Sequence, residues 1–229
     1  MPKTSSGDTS LLFRLSGLFA KSGDYRARYG KAGGSNSVDY RQHKRLLRTG
    51  ELPQKHRDLA ALIPGDSVVD VGAGEGLLAL ALSGHKARVR AIDVTPRRHE
   101  TARELLDLWA AKGRDVAHVE MLLGDALSDP SLIEGFDTLV ASRVVYYFGD
   151  AIDPFMDAAR TRVGHVCLVG NPSRNRRYAR GKLPADIGEN VRYSTPEGMR
   201  ALLERHGFEI IKEADIGDPV VIGRQRQPG

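Results

Sequence analysis

The chain has 229 residues with a formal net charge of +5, and its 41% hydrophobic and 28% charged residues are the proportions of one water-soluble domain with an appendage. No apolar run approaches the roughly 18 residues of a membrane-spanning helix. The opening MPKTSSGDTSLLFRLSGLFAKSG has its short apolar patch broken by Arg14 and lacks the small-residue cleavage site of a secretory signal.

Within residues 1–20, Leu11, Leu12, Phe13, Leu15, Leu18 and Phe19 suit a short helix covering the protein's own surface, with an amphipathic membrane contact as the alternative. YGKAGGSNSVDY reads as a loop between basic helical pieces. Residues 1–50 are therefore expected to form a basic N-terminal helical lid, and residues 51–229 the main domain. A helix covers residues 53–63. Then SVVDVG is an apolar strand, EGLLALALSG a buried helix and ARVRAIDV a second strand. Ala102, Leu105, Leu106 and Trp109 recur at helical spacing in RRHETARELLDLWAAKG, with Gly113 as the stop. HVEMLLGD and FDTLVASRV are the third and fourth strands. Asp153 is expected to cap a helix whose first position is Pro154, and HVCLVG is the fifth strand. Its Cys167, the one cysteine, reads as a buried strand residue, which agrees with a reducing cytoplasm. Thr195 and Pro196 open a last helix closed by Gly207, and FEIIKEADI and DPVVIGRQR form a terminal strand pair. Five strands alternating with helices, then two adjacent strands, predict a Rossmann-like seven-stranded, mostly parallel α/β sheet with helices on both faces.

Charge is unevenly spread. Lys21–Gly50 carries eight cations against two acids, and Asn171–Tyr193 six against two, so the remainder is net acidic.

The first strand runs into Gly72, Gly74 and Gly76, a turn that lets a ligand approach the backbone and the next helix's N-terminus. A dinucleotide site wants G-x-G-x-x-G, whereas this loop is G-x-G-x-G with Asp70 and Glu75 where a pyrophosphate would be repelled. The acids favour a cationic ligand on a nucleoside.

At these residues the chain resembles the class I S-adenosylmethionine-dependent methyltransferases, from about Pro53 onward. VVDVGAGEG resembles their first motif, AIDVT the second, LLGDAL the third, and FDTLVASRVVYYF stands at the fourth. The resemblance implies S-adenosylmethionine as cofactor, held by Asp70, Gly72, Ala73, Gly74, Glu75, Gly76, Asp93, Val94, Asp125, Ala126 and Ser142. Asp93 would bind the ribose hydroxyls and Asp125 the adenine amine. Asp70 as a residue that only orients the loop, Asp93 as a turn cap, and a purely local role for Asp125 are the alternatives.

Methyl transfer places an acceptor lone pair in line with the sulfonium methyl, and a hydroxyl acceptor usually needs a base. No dedicated base is evident. Tyr147 stands where related sequences often have histidine, and Tyr146, Tyr147 and His43 are the candidate catalytic residues. Tyr146 and Tyr147 also suit core aromatics at a strand end. Tyr25, Tyr29, Arg174 and Arg177 are candidate acceptor-binding residues, and Tyr40 shares the first basic segment. GNPSRN follows the fifth strand, away from the place of the base-methylating N/D-P-P-Y/F motif, and reads as a decoy. No metal site is expected. The two basic segments favour a small anionic acceptor, such as a metabolite, sugar nucleotide or glycan, methylated at O or N. RNA or another nucleic acid, and a non-catalytic S-adenosylmethionine-binding regulatory protein, are the alternatives.

Overall fold

Apolar runs of five or six residues bounded by turn residues are too short for helices and long enough for buried strands. In a computed structural model of the chain they form one sheet. The structure describes residues 49–173 and 188–226, together with Leu46, Arg176 and Arg180. The strands are β1 (Ser67–Val71), β2 (Arg88–Asp93), β3 (Val119–Leu123), β4 (Thr138–Ser142), β5 (His165–Val169), β6 (Phe208–Asp215) and β7 (Pro219–Gln225). Their order is β3-β2-β1-β4-β5-β7-β6, parallel except for β7, which runs antiparallel to both of its neighbours. The predicted seven-stranded, mostly parallel sheet is thus present, with the terminal pair folded so that the last strand lies inside the penultimate one.

Both faces are covered, which is why the central strands are apolar at nearly every position. One face packs against α1 (Gln54–Leu62), α2 (Leu77–Leu82) and α3 (Pro96–Ala111), through Leu59, Leu78, Leu82, Leu105 and Trp109. The other packs against α4 (Ile152–Arg160) and α5 (Pro196–Arg205), through Phe155, Met156, Met199 and Leu202. Among the described residues no helix is long and apolar enough to cross a membrane. Cys167 is fully buried in β5, as its apolar setting predicts.

The last helix starts as its sequence predicts: Thr195 Oγ1 accepts from the Gly198 N–H at 3.2 Å, with Pro196 next. The expected Asp153 cap is corrected. A 3₁₀ turn, Gly149–Ala151, feeds α4 directly, so the helix begins at Ile152 and Asp153 lies inside its first turn. Its carboxylate instead meets His206, with Arg205 as a second partner. His206 is buried, with Nδ1 2.8 Å from Asp157 Oδ1 and Nε2 3.0 Å from Asp153 Oδ1, and so ties the end of α5 to α4. The His206 hydrogen bond, aided by Arg205, holds the Asp153 carboxyl below its ordinary range. His206→Ala is expected to destabilise the fold by about 1–2 kcal/mol, read from the urea midpoint, because it opens a buried space and removes both hydrogen bonds.

Candidate functional site

The strand order reverses between β1 and β4, and the crevice outside their carboxyl ends is where an open α/β sheet takes its ligand. Local backbone chemistry shapes that crevice. Gly72, Gly74 and Gly76 have φ of 71°, 59° and 72°, left-handed values that L side chains rarely adopt. A Cβ on Gly72 would lie 2.4 Å from Val144 Cγ2, so the loop is pressed against the segment after β4. Gly76 starts α2 and leaves room for Met121 and Ala102.

The loop is also pinned to β2. The N–H groups of Gly72 and Ala73 both donate to the Ile92 carbonyl, at 2.9 and 3.0 Å. One Asp93 oxygen accepts from the Gly74 N–H and the other from the Thr95 N–H, each at 2.8 Å. Asp93 is therefore fixed by two backbone donors and retains lone pairs on both oxygens. Beside it, Val94 is 62% exposed and Leu123, at the end of β3, is 46% exposed, which leaves two apolar surfaces flanking the acid.

Asp70 has a different setting. Strand register places it in a row with Ala91 and Met121 on one side and Val140, Cys167 and Ile222 on the other, all on the α1–α2 face. The carboxyl is buried, and its Oδ1 has no hydrogen-bond partner among the described residues. Burial, with a smaller contribution from the nearby Asp93 charge, pushes its pKa up to about 8. Such a group is expensive to ionise unless a cation joins it.

The other predicted residues divide by position. Glu75 lies 3.9 Å from Arg98 Nε, so its charge is partly offset from within the chain. Asp125 accepts from the Leu127 N–H at 3.0 Å and the Ser128 hydroxyl at 2.6 Å, shaping the turn after β3, while Ala126 is buried in the core. Ser142 ends β4. Tyr146 and Tyr147 stand on a 3₁₀ turn after it, Val145–Tyr147, with ring centroids 4.7 Å apart. Tyr146 is buried and its hydroxyl accepts from Asn171 Nδ2 at 3.0 Å, whereas Tyr147 is 41% exposed. Tyr25, Tyr29, Tyr40, His43, Arg174 and Arg177 lie outside the described residues. Among the described residues no group of three or more His, Cys, Asp or Glu is placed to hold a metal ion.

Two residues gained significance only from the structure. Arg143, directly after β4, has a left-handed φ of 58°, and Lys55 lies across a cleft from it on α1. Neither carries a sequence motif.

A glycine loop at the switch point, anchored to an acid at the end of the second strand and headed by a buried carboxyl, suits a nucleoside-binding α/β domain. Residues 68–163 match the methyltransferase domain family. The chain is 27% identical over 184 residues to ribosomal protein L11 methyltransferase of Staphylococcus aureus, covering 77% of this chain and 50% of that protein; the chain spans about half the length of this curated relative. In fold it is similar to magnesium protoporphyrin IX methyltransferase from Synechocystis with bound S-adenosylmethionine, at 14% identity and a TM-score of 0.56 over 99% of this chain and 100% of that one. It is also similar to mitomycin 7-O-methyltransferase, at 19% identity and a TM-score of 0.56 over 76% of this chain and 53% of that one. Residues 68–163 thus form a methyltransferase domain, and the similar protoporphyrin enzyme holds S-adenosylmethionine in its structure. The residues present suit it: an orphaned buried carboxyl for a cation, an amide-anchored carboxylate for hydroxyls, and exposed apolar surfaces for a base.

Proposed function

We propose that the protein transfers the methyl group of S-adenosylmethionine to an oxygen or nitrogen of a small anionic acceptor, in the cytoplasm. The observation that carries the cofactor half is the pair Asp70 and Asp93, one buried without a hydrogen-bond partner among the described residues and one fixed by loop amides, at the head of the glycine loop. In this reading Asp70 meets the cofactor's cationic end and Asp93 its ribose hydroxyls, with Val94 against the base. Gly72, Ala73, Gly74, Glu75 and Gly76 form the loop beneath it, and Asp125 and Ser142 complete the rim, with Ala126 packed behind them in the core.

Bound cofactor supplies an electrophilic methyl group on a sulfonium. The chain's own contribution is position and exclusion of water, since in-line approach and desolvation account for much of such a barrier. Exposed Tyr147 offers a hydroxyl at the entrance beyond β4, and the Asn171 amide fixes Tyr146 behind it. The basic segments Lys21–Gly50 and Asn171–Tyr193, with His43, Tyr25, Tyr29, Arg174 and Arg177, suit an anionic acceptor. The small-molecule chemistry in the names of the protoporphyrin and mitomycin enzymes supports the same size class. A second reading, a macromolecular acceptor, is favoured by the ribosomal-protein substrate in the name of the sequence relative.

The test supplies S-adenosylmethionine with a labelled methyl group to cell extract, with wild type or Asp93→Ala. The expected result is a labelled, low-mass, anion-exchanger-retained product with wild type alone. Label confined to protein or nucleic acid selects the macromolecular reading. No turnover despite saturable cofactor binding selects a non-catalytic binding protein.

A further inference from the structure

We propose that Asn171 is a positioning residue of the acceptor site, which acts through Tyr146 to set the ring of Tyr147 at the mouth beyond β4. The proposal rests on the methyltransferase reading and adds to it a residue that works through another side chain.

A tyrosine stands where phenylalanine would be cheaper to bury. Tyr146 is 2% exposed and clusters with Val191 of the 3₁₀ segment Gly188–Ser194. A hydroxyl at that depth calls for hydrogen bonding, and Asn171 Nδ2 donates to it at 3.0 Å from the segment that follows β5. The amide is held on its other side, because Asn171 Oδ1 accepts from the Ser173 hydroxyl at 2.6 Å. Its backbone is held as well: the Asn171 N–H donates to the Ser194 carbonyl at 3.2 Å. Gly170 permits that approach, since a Cβ there would lie 2.4 Å from the Ser194 oxygen. An amide fixed in this way can hold the Tyr146 ring in one orientation.

That orientation bears on the site. The Tyr147 ring lies against Tyr146 with centroids 4.7 Å apart and planes tilted by 50°. The Tyr147 N–H donates to the Val144 carbonyl at 2.8 Å, and Val144 fills the space against Gly72. Tyr147 is thus tied to the cofactor loop through its backbone and to Asn171 through the Tyr146 ring. The Asn190 amide donates to the Gly149 carbonyl at 3.0 Å and secures the same stretch after β4 to Gly188–Ser194. Without the Asn171 donor the Tyr146 ring settles differently in its pocket, and Tyr147 follows. Methyl transfer depends on in-line approach, so a displacement of about 1 Å costs rate out of proportion to binding.

The test compares wild type, Asn171→Ala, Tyr146→Phe and the double variant in methyl transfer from labelled S-adenosylmethionine, over a dilution series of the extract fraction that takes label. Rates are counted per cofactor-binding site, titrated by calorimetry, so that misfolded protein does not enter. Each single variant is expected to lower kcat about tenfold, with the half-saturating amount of the fraction and the S-adenosylmethionine Kd within about twofold of wild type. The double variant is expected to match the singles, because both remove the same bond. Tyr146→Phe keeps the buried ring and remains informative where Asn171→Ala unfolds. In protein labelled with 3-fluorotyrosine, with resonances assigned from Tyr146→Phe and Tyr147→Phe, Asn171→Ala is expected to shift the fluorine signal of Tyr147 as well as that of Tyr146. Wild-type kcat in Asn171→Ala, a weaker half-saturation with kcat unchanged, effects that multiply in the double variant, or an unmoved Tyr147 signal would each overturn the proposal. Wild type that fails to bind S-adenosylmethionine, or binds it and labels nothing, counts against the methyltransferase reading itself; the fluorine spectra then still decide whether Asn171 sets the tyrosine pair.

Discussion

Asp70→Asn is expected to make the unliganded protein more stable at pH 7 and its cofactor binding weaker. The stability half follows from linkage. The folded-state pKa of Asp70 is raised from 3.8 to about 8, chiefly by burial and then by the Asp93 charge. Between those values the folded protein holds a proton that the unfolded chain has released, so stability falls as pH rises through that window. The limiting slope is about 1.4 kcal/mol per pH unit and flattens above about pH 8, where the folded group also ionises. Asparagine has nearly the shape of the protonated acid and no such slope, so at pH 7 the variant is expected to gain on the order of 2–4 kcal/mol. The binding half has the opposite sign, because the proposed partner of Asp70 is a cation. In wild type, binding near pH 7 draws the proton off Asp70. Affinity therefore rises with pH toward 8, and calorimetry in two buffers of different ionisation enthalpy records close to one proton released. In Asp70→Asn the release vanishes and affinity drops about tenfold or more. Thermal melts of the two proteins from pH 5 to 8 check the first half. Parallel melting curves would mean that Asp70 is ionised and paired already, and unchanged cofactor affinity would mean that the cation lies elsewhere.

The same residue shows how far the sequence reaches. An acid inside an apolar strand is visible in SVVDVG, and so is the glycine loop after it, because glycine spacing directly encodes a close backbone approach. The strand and helix order was legible for a similar reason: each run has the length and periodicity of its element. The company Asp70 keeps was not legible, since it depends on the register that sets Ala91, Val140 and Cys167 beside it. The Asp153 reading failed on a tertiary competitor, because His206, distant in sequence, takes the carboxylate that local pattern assigns to a cap. Arg143 gave no sign at all, because nothing in an arginine after a strand records a positive φ.

Asp93→Ala is expected to weaken S-adenosylmethionine binding by about a hundredfold. Its carboxylate spends one acceptor position per oxygen on the Gly74 and Thr95 amides, and each oxygen has a second position left for a ribose hydroxyl. A charge-assisted bond contributes about 1.5–3 kcal/mol, and loss of about 2.7 kcal/mol corresponds to a hundredfold in Kd. Alanine also releases the Gly74 N–H, so hydrogen exchange at Gly74 is expected to quicken even without cofactor, a readout that separates loop anchoring from ribose contact. Asp93→Asn retains one carbonyl acceptor and is expected to fall between alanine and wild type. A loss below about threefold in Asp93→Ala would sink the ribose role. The two acids are not independent, because the Asp93 charge helps to raise the Asp70 pKa. Removing Asp93 therefore lets Asp70 ionise at lower pH and returns part of the cation's attraction. The double variant Asp70→Asn/Asp93→Ala is accordingly expected to bind more weakly than the sum of the single effects, and the cycle measures the coupling between the two carboxyls directly.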